Sequence, residues 1–216
     1  NHPKAKNMIG AFYQPRMVLA DPATMGTLPP RDVHQGWAEA IKHAMIADED
    51  YLRFFEDNAD AILRLERDVT AEAIRRSVAI KARVVSEDER EEKGIRSFLN
   101  YGHTLAHAIE STTGYTRFRH GEADGIGMMA AALMSEMMGL LSHDVVERQR
   151  RVLERYKLPT HAEGLDRGRI TAAIALDKKV VGKAVRWVRL EGIGKPVLRD
   201  DVPADVVGRA LDAVLR

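Results

Sequence analysis

A chain of 216 residues with 45% hydrophobic content has enough apolar material for one buried core, and its net charge of +1, spread over interspersed acids and bases, argues against a dedicated nucleic-acid or anionic-membrane surface. The absence of cysteine excludes disulfides and thiolate metal sites, leaving histidine, carboxylate and water as metal ligands. The longest apolar stretch, Ile126 to Leu141, contains Ser135 and Glu136 and falls short of the ~20 residues of a membrane span, so with no signal or transit pattern the expected location is cytoplasmic.

The first segment, "NMIGAFYQPRMVLAD", reads as two short extended runs with nothing before them to pair with. The expectation is that residues 1–28 end an upstream α/β domain and residues 29–216 form a helical domain. After "TLPPRD", Pro29 and Pro30 suit a helix start, and Val33, Trp37, Ala40, Ile41 and Ala44 keep a helical period opposite Gln35, Glu39 and Lys42. A second amphipathic stretch runs from Tyr51 to Leu65. In "TAEAIRRSVAIKARVVSEDER" the stripe Ile74, Val78 and Val85 encloses Lys81. A lysine inside an apolar stripe either snorkels outward or meets an anionic partner.

The spacing predicts a helix from Phe98 to Ser111, with Asn100, His103, His107 and Glu110 on one side and Leu105 and Ile109 on the other. "ADGIGMMAAALMSEMMGLL" is apolar nearly all round and reads as a buried central helix. Helices are expected at Val145 to Arg155 and Arg169 to Leu176, then a hairpin in "AVRWVRLEGIGKPVLRDDV" and a closing helix from about Pro203. The fold class is mainly α, a helical bundle with one short β hairpin.

His103 and His107, four residues apart, have the spacing by which one helical face offers two imidazoles to zinc, and they serve equally as two solvated histidines. The missing Glu of H-E-x-x-H argues against a metalloprotease. His120, at a loop-to-helix junction, can reach back over the His103 face, and three ligands with one open position would make a catalytic zinc site. Glu39 is the candidate remote ligand; its alternative is a solvated pair with Lys42. Arg96, Lys178 and Lys179 could join Lys81 in an anion clamp or be surface charge. "GEADGIG" lacks G-x-G-x-x-G and a preceding strand, so it is no dinucleotide loop.

Five blocks in order, "KNMIGAFYQP", "GWAEAIKH", "DEREEKGIRSFLNYGHTLAHAIE", "HGEADGIGM" and "DKK" followed by "VRWVRLEGIGKP", closely resemble the 3-dehydroquinate synthase family over nearly the whole chain. The resemblance begins partway through the family's sequence and implies its helical C-terminal domain plus the end of its nucleotide-binding domain. It implies a divalent metal, zinc or cobalt, on Glu39, His103 and His120, with His107 and Glu92 in proton transfer. It places substrate contacts on Asn7, Lys42, Lys81, Arg96, Asn100 and one of Lys178 and Lys179. It places NAD contacts on Lys6, on the turn Thr24, Met25, Gly26 and Thr27, and on Gln35.

The implied reaction converts 3-deoxy-D-arabino-heptulosonate 7-phosphate into 3-dehydroquinate and phosphate, in the shikimate pathway, by a lyase that is a homodimer at full length. An isolated C-terminal part is expected to be inactive. Other sugar-phosphate cyclases, metal-dependent polyol dehydrogenases of the same fold and a catalytically inert helical module are the alternatives. The sequence departs from the family pattern at Ala5, His43-Ala44, Ala106 and Asp124, where glycine, Tyr-Gly, glycine and valine are usual.

Overall fold

The computed structural model describes residues 10, 13–179 and 185–216, without the side chains of 177–179. Its elements are α1 (Pro30–Ala47), α2 (Glu49–Asp57), α3 (Ala59–Leu63), α4 (Arg67–Glu87), α5 (His103–Thr112), α6 (His120–Met137), α7 (His143–Arg155), α8 (Arg167–Lys179), β1 (Trp187–Leu190), β2 (Pro196–Arg199) and α9 (Ala204–Val214). Short 3-10 turns cover Pro22–Thr27 and Arg96–Asn100. Among the described residues, 13–20 form no strand.

Helix α6 is the axis, because thirteen of its residues from Gly121 to Ser135 are buried. Around it pack α1, α5, α7, α9 and β1. Helix α1 starts at Pro30, whose missing N–H and fixed φ suit the first helical position. Its C-terminal half is buried almost all round, between α4 and α6, which takes Lys42 and His43 into the interior. The polar face read from the sequence is therefore half right: Glu39 is partly exposed and Lys42 is buried.

The stretch from Tyr51 to Leu65 is two helices rather than one. Asp48 caps α2 by accepting from the Tyr51 N–H at 3.0 Å, and Asn58 ends it by donating to the Phe54 carbonyl at 2.9 Å. Tyr51 and Phe55 on α2 join Trp37 and Tyr156 in an aromatic cluster with edge-on or tilted rings. On α4 the buried row is Ala73, Ile80 and Val84, while Val78 is 38% exposed. Lys81 is exposed as well, so of the two alternatives for a lysine in an apolar stripe it takes the outward one.

The helix expected from Phe98 to Ser111 breaks at Gly102. Residues 96–100 form a 3-10 turn, Gly102 takes a φ of +85°, and α5 begins at His103. The reason is tertiary. The Gly102 carbonyl lies against Gly127 of α6, where an added Cβ would stand 2.1 Å from that oxygen. Gln149 of α7 locks the junction from behind, accepting from the Tyr101 hydroxyl at 2.8 Å and donating to the Met128 carbonyl at 2.9 Å.

The hairpin and closing helix are where the pattern places them. β1 and β2 pair antiparallel from Trp187 opposite Arg199 to Leu190 opposite Pro196, and the loop's Gly194 N–H donates to the Met45 carbonyl of α1. None of the described helices is long and apolar enough to cross a membrane.

Candidate metal centre

Three elements converge on Glu39, which sits midway along α1. His103 is the first residue of α5 and His120 the first of α6. The start of α6 is held by three contacts. Glu122 accepts from the Arg119 N–H at 2.9 Å, Arg31 pairs with Glu122 at 2.6 Å, and the Gly121 N–H donates to Gln35 Oε1 at 3.0 Å. Gln35, expected to meet NAD, thus uses its side-chain oxygen to tie α1 to α6.

Glu39 Oε1 lies 3.5 Å from His103 Nε2 and 3.3 Å from His120 Nε2. Lys42 donates to Glu39 Oε2 at 2.5 Å and stands 3.4 Å from His103 Nε2. One ligand atom from each of Glu39, His103, His120 and Asp124 falls within 4.8 Å of the others. Burial alone would raise the Glu39 carboxyl, but His103, His120 and Lys42 outweigh it and hold the group well below the usual carboxylate range. His120 is pushed up to about 9, chiefly by Glu39. Burial lowers His103, yet Asp124 and Glu39 carry it above its ordinary value.

The donor set fits a divalent cation. Two imidazole nitrogens and a carboxylate oxygen are the borderline ligands that zinc and cobalt take. His103 Nδ1 and both Asp124 oxygens are buried beside them without a well-formed hydrogen bond.

His107, the i+4 partner, points elsewhere. It is exposed at the rim, its ring 5.2 Å from that of His103, and belongs to a second group with Glu110 and His120. Partial desolvation and the neighbouring His103 lower it, which favours the neutral imidazole. Of the two readings of the histidine pair, the geometry brings His103 alone to Glu39.

A cleft of about 220 Å³ opens beside the cluster, lined by Glu39, Lys42, His43, Lys81, Val85, Glu91, Arg96, Leu99, Asn100 and His103. Lys42, Lys81, Arg96 and Asn100 are thus brought together as expected. Glu92 is not on the wall; it is exposed, and Glu91 takes the place, with a φ of +59° and a contact to Arg96 at 2.9 Å. Five acidic residues in "EDEREE" gave no means of choosing among them. His43 also lines the cleft, bonded to Ser77 Oγ at 2.8 Å, and burial with the nearby Lys42 charge lowers it to about 4. The turn Thr24 to Thr27 packs on α4, its threonine hydroxyls bonded to Asp21 and Thr24 carbonyls, and it does not line this cleft. Lys6 and Asn7, and the side chains of Lys178 and Lys179, lie outside the described residues.

The loop carrying Glu91 and Arg96 is organised by Asp88, which is buried and accepts from the Lys93 N–H at 3.0 Å and the Arg96 N–H at 3.1 Å. The Lys93 bond above all, with other backbone donors, holds its carboxyl below the ordinary value of 3.8. A depressed carboxyl stabilises the loop above that ordinary value, and the contribution is lost as pH falls through the lower one. Hydrogen-exchange protection factors at Lys93 and Arg96 are expected to fall between about pH 5 and about pH 3. In Asp88→Asn they are expected to be low at both; unchanged protection in that variant would contradict the role.

A model of the 3-dehydroquinate synthase C-terminal region matches residues 36–180, and one of the N-terminal region matches residues 1–35. The chain belongs to the 3-dehydroquinate synthase family. It is 42% identical over 211 residues to the 3-dehydroquinate synthase of Acinetobacter baumannii strain AYE, covering 98% of this chain and 58% of that protein. To that of Pseudomonas aeruginosa strain LESB58 it is 46% identical over 221 residues, covering 100% and 58%. The chain therefore spans little more than half the length of these 3-dehydroquinate synthases.

Among solved structures, 2-epi-5-epi-valiolone synthase from Streptomyces hygroscopicus, with NAD⁺ and Zn²⁺ bound, superposes with a TM-score of 0.85 at 24% identity, over 99% of this chain and 59% of that one. 2-deoxy-scyllo-inosose synthase, complexed with carbaglucose-6-phosphate, NAD⁺ and Co²⁺, gives 0.79 at 27%, over 100% and 61%. The bundle is thus the fold of the 3-dehydroquinate synthase family and of these two synthases.

Proposed function

We propose that this chain is the metal- and substrate-binding part of a 3-dehydroquinate synthase, converting 3-deoxy-D-arabino-heptulosonate 7-phosphate to 3-dehydroquinate and phosphate with NAD⁺. The observation that carries the reading is the convergence of Glu39, His103 and His120 beside a cleft with three cationic side chains. Residues 1–28 would be the end of the nucleotide-binding domain, and residues 29–216 the helical domain.

Glu39, His103 and His120 would hold the divalent ion, which when bound supplies Lewis acidity toward substrate hydroxyls, while NAD⁺ supplies reversible hydride acceptance. The chain's own groups do the rest. Lys42, Lys81 and Arg96 would bind the carboxylate and phosphate of the substrate, Arg96 kept in place by Glu91. Asn100 would orient a hydroxyl. His107, neutral at the rim, would take and return the proton lost as phosphate leaves. NAD⁺ would meet Lys6 and the exposed turn Thr24–Thr27, and Asn7 with one of Lys178 and Lys179 would complete the substrate site.

The test is phosphate release with product analysis, on the chain alone and joined to the upstream domain of a relative. Turnover to 3-dehydroquinate only in the joined protein is the expected result. No activity in the joined protein with metal bound, or a different carbocycle as product, would overturn the reading.

A further inference from the structure

Asp124 is a charged residue in the most apolar helix of the molecule. It lies four residues after His120, on the same face of α6, and its side chain is fully buried. Its Oδ1 stands 3.1 Å from His103 Nδ1 and its Oδ2 stands 3.5 Å from His120 Nε2. An isolated buried carboxylate is costly, and the groups that face this one are the two imidazoles.

The two histidines are treated alike. Glu110, buried on α5, places Oε1 at 3.3 Å from His120 Nδ1, as Asp124 does for His103. In each ring the nitrogen with its own carboxylate is Nδ1, and the nitrogen facing Glu39 is Nε2. A carboxylate on Nδ1 fixes the proton there, sets the ring's orientation and makes Nε2 the better donor to a metal.

We propose that Asp124 is a positioning residue that holds His103 by its Nδ1 and thereby presents Nε2 to a divalent cation, without occupying a coordination position itself. This rests on the metal-site reading above. Oδ1 meets His103 at the nitrogen remote from Glu39, at 3.1 Å, closer than Oδ2 comes to His120 Nε2 at 3.5 Å. Asp124 and Glu110 together bring two negative charges behind the imidazoles, offsetting the charge of a bound cation.

The experiment is zinc titration of the chelated chain against a competing chromophoric chelator, for the parent, Asp124→Asn, Asp124→Val and His120→Ala. Cobalt absorption spectra and melting of the metal-free forms accompany it. Asp124→Val is expected to weaken zinc binding by about 10- to 100-fold. Asp124→Asn, whose side-chain oxygen still accepts from Nδ1–H, is expected to fall between parent and valine variant with the parent's cobalt spectrum. The metal-free valine variant is expected to melt no lower than the parent, which separates a metal effect from a folding one. An asparagine variant as weak as the valine one, with an altered cobalt spectrum, would make Asp124 a ligand and overturn the proposal. Parent-like affinity in Asp124→Val would overturn it too, with the metal site intact if His120→Ala has lost zinc. A parent that binds no zinc would bring down the metal site and this proposal together.

Discussion

Glu39→Ala is expected to weaken zinc binding by more than about 100-fold, beyond the usual cost of losing a supporting residue, and to destabilise the metal-free fold by about 1–3 kcal/mol. Both effects come from one position. Glu39 is the carboxylate on which His103 and His120 converge, and it is the partner of Lys42, whose side chain is only 1% exposed. Without it a buried ammonium remains beside an imidazole at 3.4 Å. The stability cost is set below that of a fully buried pair because Glu39 keeps 37% of its surface. His120→Ala provides the contrast, since its side chain is 41% exposed and supports no buried ammonium: zinc affinity should fall with a smaller loss of metal-free stability than in Glu39→Ala. Chelator competition and denaturant unfolding of the metal-free chains measure both. Parent-like zinc affinity in Glu39→Ala would remove it from the site.

Gly127→Ala is the second large effect, expected to cost about 2–4 kcal/mol of folding stability and to weaken zinc binding as well. Its Cβ would lie 2.1 Å from the Gly102 oxygen, 2.9 Å from the Gly102 carbonyl carbon and 3.3 Å from the Ala106 nitrogen. All three are backbone atoms, so no side chain can swing away and α5 must move off α6 as a body. His103 follows Gly102 directly, and that movement carries its imidazole from the other two ligands. Gly36→Ala is the control: an added Cβ there meets nothing within 4 Å on an exposed turn of α1, and the change should gain about 0.5–1 kcal/mol. Denaturant midpoints of the two variants should move in opposite directions; equal shifts would mean that the helix contact is looser than described.

Much of this architecture is legible in the sequence because local pattern and tertiary demand agree. An apolar run with small residues can only be a buried helix, and α6 is one. The Gly-containing loop between two short apolar runs is a hairpin. Periodicity fails on α4, where Ile74, Val78 and Val85 form one helical row and Ala73, Ile80 and Val84 another. Both suit a helix, and only packing against α1 selects the second, which turns Lys81 outward. The break at Gly102 has no local cause, since it depends on a glycine 25 positions later, at Gly127.

The candidate site shows the same division. Spacing brought out His103 and His107, and only the family resemblance set Glu39, His103 and His120 together; His107 lies one turn further along the same face of α5, at the exposed rim. Glu91 rather than Glu92 lines the cleft, with a φ of +59° that no composition encodes. Asp124 had a usable signal, an acid four residues after a candidate ligand within an apolar helix, which marks a buried charge that needs a partner.

The central claim is that Glu39, His103 and His120 form one metal centre, and anomalous diffraction at the zinc edge from crystals of the zinc-loaded chain tests it most directly. One strong peak is expected, about 2.0–2.2 Å from Glu39 and from the Nε2 atoms of His103 and His120. A peak seated instead among His107, Glu110 and His120, or no peak within reach of Glu39, would contradict it.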